Sequence, residues 1–162
     1  MTAQIANGGY KIYPKIVLND EYEKIKKDKF IPLYKDSKNI KIVQEAMFSS
    51  TNEVLGTSYR SRIEDLKYQF AGKTGTAQVK RITKQDRILD LKTFEIPYEQ
   101  RDHALYIAFG PYQNPRYAIS ILIEHGGSGS SVAAPLAKKL FKKIIDRHEM
   151  RKNFQNKKYL DI

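Results

Sequence analysis

The sequence predicts an α/β fold in which an antiparallel sheet is covered by helices. Residues 104–109 and 117–123 are almost continuously apolar, and Gly110-Pro111-Tyr112-Gln113-Asn114-Pro115 joins them. A turn-rich link that short makes two strands antiparallel neighbours. The helical layer follows from residues 132–148, where Val132, Leu136, Leu140 and Ile144 recur every four residues. The 162 residues, 41% hydrophobic and 29% charged, amount to about one globular domain. A domain of that size buries roughly 70% of its unfolded surface, enough for a core.

Along the chain, residues 1–6 read as the last turns of a helix, stopped by Asn7-Gly8-Gly9, where glycine adopts the left-handed cap. So short a helix does not form alone, and it reads as the tail of a longer element. Residues 10–18 alternate enough for a strand, with Pro14 confining it to an edge or breaking it. Residues 19–38 are polar, contain Ile31-Pro32, and read as a surface hairpin or loop. Ile40, Val43 and Met47 then take helical spacing, with Asn39 as the predicted N-cap. Residues 56–69 form a connection, residues 70–79 a short strand of small side chains, and residues 81–102 a long polar excursion.

The strands over 104–109 and 117–123 are apolar on both faces, which predicts central strands packed on each side. Gly126-Gly127-Ser128-Gly129-Ser130-Ser131 leads into the final helix, with Ser130 or Ser131 as its cap. Phe141, Ile145 and His148 widen the apolar stripe, and Pro135 falls in the tolerant first turn. Lys138, Lys139, Lys142 and Lys143 form the exposed face, toward a C-terminus that suits positive charge. The division expected is one domain over 1–150 and a basic polar tail over 151–162 that frays.

Composition excludes several functions. With no cysteine, disulfides, thiol catalysis and cysteine-ligated zinc are ruled out. The net charge of +11 is spread along the chain, as a skewed base composition would also produce, and no basic patch interleaved with aromatics suggests nucleic acid. No apolar run approaches the ~20 residues of a membrane span. Met1-Thr2-Ala3-Gln4-Ile5 has neither the basic start nor the apolar core of a signal peptide, so no targeting segment is expected.

The informative stretch is Ala71-Gly72-Lys73-Thr74-Gly75-Thr76-Ala77-Gln78. A phosphate loop would need a glycine five positions before Gly72, where Lys67 stands, and a helix after Thr74, where Gly75 and β-favouring residues follow. Lys-Thr-Gly-Thr on a strand flanking a cleft instead offers one anionic substrate an ammonium, a hydroxyl and a backbone N–H. The glycine lets that substrate come close. His103 and His125 bracket strands and read as structural. His148-Glu149 lacks the second histidine of a zinc-protease motif. Glu124 reads as a strand-end partner, and Ser128, Ser130 and Ser131 as loop and cap residues with no base beside them.

The Lys73-Thr74-Gly75 element, Arg101-Asp102-His103 running into residues 104–111, Asn114-Pro115-Arg116-Tyr117-Ala118, Glu124-His125-Gly126-Gly127 and Ala133-Ala134-Pro135-Leu136-Ala137 together resemble the C-terminal end of class B penicillin-binding proteins. Glu-His-Gly-Gly followed by Ala-Ala-Pro resembles the elongation type, penicillin-binding protein 2. At the other end, residues 3–9 resemble the helix end and turn of the same domain. The likeness runs from residue 1 to about 148 and is weakest over 19–38 and 84–100.

The resemblance implies a partial β-lactamase-like transpeptidase fold. It also implies that residues 1–150 are the C-terminal segment of a D,D-transpeptidase domain that cross-links peptidoglycan through an acyl-serine. Lys73 would be its catalytic lysine, holding the serine network and the substrate's charge. Thr74 would hydrogen-bond the substrate carboxylate, Gly75 would allow close approach, and the Thr76 N–H would be one of two oxyanion donors. No cofactor is implied. The expected partners are a peptidoglycan stem peptide or a β-lactam in the complete domain, and the cell-wall elongation machinery. The parent would be an inner-membrane protein with a periplasmic domain.

This sequence departs from the family pattern in one respect. No serine has a lysine three positions on, so the Ser-x-x-Lys nucleophile is missing. Ser37-Lys38-Asn39 and Ser50-Thr51-Asn52 fall after the Asn7-Gly8-Gly9 turn, where the family's Ser-x-Asn precedes it. The chain alone is therefore expected to be inactive, and to self-associate along the 117–123 strand, whose family neighbour would come from earlier in the domain. The alternative reading is a non-catalytic binding or interaction module derived from such a domain.

Overall fold

The computed structural model describes residues 1–14, 16, 31–81, 84, 88 and 91–158, with side chains to Met150. Its helices are α1 (Thr2–Ala6), α2 (Ser37–Asn52) and α3 (Ala134–Lys158). Its strands are β1 (Ala71–Ala77), β2 (His103–Gly110) and β3 (Tyr117–Ile123). The strands form one antiparallel sheet in the order β1-β2-β3, with Ala71 opposite Phe109, Ala77 opposite His103, and Ala104 opposite Ile123. The α/β fold and the antiparallel pairing are as the sequence predicts.

Helices cover both faces of the sheet. On one face Phe70, Tyr106, Ala108 and Ile121 pack against Ala133, Ala134, Ala137, Phe141 and Ile145 from the α3 side. On the other, Ala71 and Phe109 pack with Met47 and Phe48 of α2 and with Ile5 and Ala6 of α1. β2, in the middle, is covered on both sides as expected of a central strand, with Ala104, Tyr106 and Ala108 buried on one face and Leu105 and Ile107 half-buried and Phe109 buried on the other. β3 is not central. Among the described residues it ends the sheet, and Ala118, Ser120 and Leu122 on its outer face are exposed, because the five-residue α1 covers little of that side.

Asn7-Gly8-Gly9 ends α1 as predicted, with Gly8 at φ 91° and Gly9 at φ 89°, and the Gly9 N–H donating to Gln4 O at 2.7 Å. The strand expected from residue 10 is not formed over 10–14. Tyr10 makes only an isolated bridge to Pro32, closed by Lys11 N–H to Ile31 O and Leu33 N–H to Gly9 O, both 2.9 Å. Pro14 cannot donate to a ladder, which limits the pairing to that clasp. Most of the expected 10–18 strand's second half and of the 19–38 loop lies outside the described residues.

Three helix details depart from the sequence reading. The cap of α2 is Asp36, whose carboxylate accepts from Lys38 N–H at 2.9 Å, three residues before Asn39. Neither Ser130 nor Ser131 caps α3. Residues Gly129–Ala133 form a π-helical turn that runs into it, and Ser128 and Ser130 hydrogen-bond each other at 3.0 Å. A wider turn changes the phase of the residues after it. The buried seam is therefore Ala133, Ala134, Ala137, Phe141 and Ile145, whereas Val132 and Leu136 are exposed.

α3 also continues to Lys158, through residues that include the helix formers Arg151, Lys152, Gln155, Lys157 and Lys158 and no glycine or proline. Helical geometry thus extends past residue 150. Lys138, Lys139, Lys142 and Lys143 accordingly lie in the first half of this helix, not at its C-terminal end.

α3 is fastened near Tyr117 by a polar clamp. Tyr68 Oη donates to Asp146, and Lys67 Nζ pairs with Glu149 at 2.6 Å and Asp146 at 3.7 Å. The bond to Glu149 holds the Lys67 ammonium well above the usual lysine range. The bond to Asp146 pushes the Tyr68 hydroxyl up.

Candidate active-site strand

β1 is built from small residues because larger ones would not fit. At Gly72 an added Cβ would collide with the Tyr106 hydroxyl. That gap lets the Tyr106 phenol pass beneath β1 and meet Thr51 Oγ1 at 2.9 Å and Ser58 Oγ at 3.1 Å. All three groups are buried, and Ser58 also donates to Ser50 O at 3.0 Å. Burial pushes the Tyr106 hydroxyl pKa up, while its bonds to Ser58 and Thr51 pull the other way. The network ties β2 to the end of α2 around the outer edge of β1. Asn52 Nδ2 adds a bond to Phe70 O at 2.9 Å.

The four predicted site residues follow one another along this edge strand. Lys73 is exposed, Thr74 and Gly75 are half-buried, and Thr76 is exposed. Lys73 Nζ donates to Thr74 O at 2.8 Å and lies 3.5 Å from Thr74 Oγ1. Thr74 Oγ1 lies 3.2 Å from Thr57 Oγ1, which is 3.1 Å from Ser50 Oγ. A hydroxyl chain thus runs from α2 to the ammonium. Lys73 also lines an open cavity of about 580 Å³ whose walls include Ile5, Val43, Met47, Leu55 and Ile107.

On the far side of β1 the predicted flexible segment performs a tight packing task. Gly129 sits directly over the paired residues Gly75 and Leu105: an added Cβ would collide with Leu105 O and lie 2.5 Å from Gly75 O. Because the obstacle is backbone, Gly129→Ala is expected to cost about 1–3 kcal/mol by overpacking. It should do so by pushing β1 from its register, read as a lower urea midpoint and as amide shifts centred on Gly75 and Thr76.

His103 and His125 behave as structural residues, as read from the sequence. His125, left-handed at φ 56°, donates its N–H to His103 Nδ1 at 2.9 Å, and its own Nδ1 lies 3.1 Å from Arg101 O. His103 pairs with Ala77, so this bracket fixes the end of β1 nearest Thr76. Asp102 Oδ1 accepts from Val79 N–H at 3.3 Å at the same end. Sequence reasoning missed Thr57, Gly129 and the Tyr106 network. The small-residue run through Gly126–Ser131 was the available signal for Gly129.

A lysine, a threonine hydroxyl and a strand edge without a second neighbouring strand among the described residues can together bind an extended anionic chain. Among solved structures, the chain is similar to penicillin-binding protein PBP2 from Helicobacter pylori in its complex with MreC. The TM-score is 0.66 at 31% identity, over 90% of this chain and 23% of that one. It is also similar to Pseudomonas aeruginosa PBP2 in complex with WCK 5153, with a TM-score of 0.61 at 28% identity over 88% of this chain and 28% of that one. The chain belongs to the penicillin binding protein transpeptidase domain family, whose model matches residues 1–142. A curated relative, the peptidoglycan D,D-transpeptidase MrdA of Salmonella typhimurium, is 32% identical over 152 residues, 88% of this chain and 23% of the relative. The chain thus spans about a quarter of that relative's length.

Proposed function

We propose that the chain supplies the substrate-binding strand of a peptidoglycan D,D-transpeptidase of the elongation type, acting in cell-shape maintenance. The observation that carries this reading is Lys73-Thr74-Gly75-Thr76 on an edge strand beside an open cavity, in a chain of this family. In that reaction a serine outside these 162 residues attacks the D-Ala carbonyl, forming the acyl-serine and expelling terminal D-Ala. An amine of a second stem peptide then displaces the serine. Lys73 would hold the serine network and the substrate's charge, and Thr74 the carboxylate. Gly75 would admit the substrate, and the Thr76 N–H would donate to the oxyanion.

The parent's site would be periplasmic, on a protein tethered to the inner membrane, and residues 1–150 would be the C-terminal segment of the domain. No helix of the described residues is long and apolar enough to cross a membrane. The MreC complex of the similar Helicobacter pylori protein supports a partner in the elongation machinery.

The test is the reading frame ahead of Met1 together with the polypeptide it encodes. Ser-x-x-Lys and Ser-x-Asn are expected there. The joined polypeptide should take fluorescent penicillin covalently, and Lys73→Ala should slow labelling on the order of 10²-fold. Undiminished labelling by Lys73→Ala would remove Lys73 from the chemistry.

A second reading, a non-catalytic interaction module, is favoured by the bare side chains of Val54 and Leu55, 75% and 98% exposed, just past the end of α2, where Leu55 borders the Lys73 cavity. It would gain if the preceding frame held neither motif. In either case β3 has no second neighbouring strand among the described residues and Leu122 is 57% exposed, a template for another strand. The 162-residue chain is expected to self-associate. Light scattering at micromolar concentration should give a mass above 18.8 kDa, and a cooperative monomer would refute it.

A further inference from the structure

A second concavity lies across the outer edge of β1 from the Lys73 cavity, between the 53–61 turn and the first half of α3. Its volume is about 800 Å³, and Arg60, Lys138, Lys139 and Lys142 line it with no carboxylate among the lining residues. Three basic residues outside it are matched: Lys67 pairs with Glu149 and Asp146, Lys41 with Glu45, and Arg62 with Glu64. The groove's four cations have no ion pair among the described residues. Like charges gathered in one concavity create a positive potential that concentrates anions.

The groove also carries hydroxyl donors, from Tyr59, Ser130 and Ser131. Lys138 and Lys142 stand one helical turn apart, about 6 Å along the axis. That approaches the ~6.8 Å between alternate side chains of an extended peptide. We propose that this groove is a binding site for an acidic peptide, whose side-chain carboxylates sit on Arg60, Lys138, Lys139 and Lys142.

Geometry disfavours nucleic acid. The one aromatic ring in the lining, Tyr59, already has the Arg62 guanidinium over one face, 4.0 Å from its centroid, and a single remaining face is a poor platform for successive bases. Thr57 lines both this groove and the Lys73 cavity, and its hydroxyl lies 3.2 Å from that of Thr74. None of the four cations belongs to β1, so the proposal stands or falls apart from the acylation chemistry.

The test measures anisotropy of rhodamine-labelled hexaglutamate with the 162-residue chain at physiological salt. Binding is expected for hexaglutamate and not for hexaglutamine. Arg60→Glu with Lys139→Glu, both exposed positions, should weaken it at least about tenfold, and Lys139→Gln alone about threefold. Lys35→Glu with Lys143→Glu makes the same change in net charge outside the groove and should alter affinity less than about twofold. Equal losses in the two double variants would reduce the effect to general basicity and overturn the proposal, as would no binding by the unaltered chain. A rhodamine-labelled single-stranded oligonucleotide that bound more tightly, with the same loss in Arg60→Glu/Lys139→Glu, would overturn it in favour of nucleic acid.

Discussion

Incubation with fluorescent penicillin followed by denaturing electrophoresis is expected to leave the 18.8 kDa band of this chain unlabelled. Acylation needs a hydroxyl beside a base, and no serine here has a lysine three positions on. The serines near Lys73 are otherwise engaged. Ser49 Oγ donates to Glu53 at 2.9 Å, and Ser50 Oγ is bonded with Thr57 at 3.1 Å. Farther off, Ser128 and Ser130 bond each other. Lys73 itself spends its closest bond on the Thr74 carbonyl at 2.8 Å. Loss of a serine nucleophile costs about 10⁶-fold in a comparable acyl-transfer enzyme, far more than loss of an oxyanion donor, at about 10²–10³. A labelled band would overturn this expectation, and mapping the label would name the serine responsible.

Phe141→Ala should cost about 3–5 kcal/mol, the largest effect on stability expected of any single core truncation here. Phe141 is fully buried and stacks on Phe70, also fully buried, with centroids 4.9 Å apart. Gly110 closes over the same ring: a Cβ there would lie 3.1 Å from Phe141 Cε1. The surrounding atoms are backbone and a stacked aromatic, so the site cannot collapse to fill the void. Against a typical total of about 5–15 kcal/mol the loss is a fifth or more, and melting should fall by roughly 10 °C. Val132→Ala and Leu136→Ala, at 37% and 39% exposure, should each cost less than about 1 kcal/mol. Thermal unfolding of the three variants therefore decides between the seam observed and the seam that strict four-residue spacing suggests.

The sequence by itself determined the sheet, the turn after α1 and the strand that holds Lys73-Thr74-Gly75-Thr76. Residues 104–109 are apolar enough to demand burial on both faces. Glycines at 8 and 9 take the left-handed φ that other residues avoid, and Lys-Thr-Gly-Thr stands out as a string. Each is a local signal, carried by neighbours a few positions apart. Only the tertiary structure decided the rest.

Thr51 meets Tyr106 across 55 positions, and Thr57 meets Thr74 across 17. No spacing rule reaches that far. Gly129 looked like flexible linker and is instead the one residue small enough to lie on the Gly75 backbone. The buried face of α3 lies one residue on from the one that four-residue spacing suggests, at Ala133 and Ala137 and not at Val132 and Leu136. Both lysines and alanines of α3 were visible in the sequence. Which faced a groove and which faced the core was settled by how closely a helix can approach a sheet, and side-chain volume at each contact sets that distance.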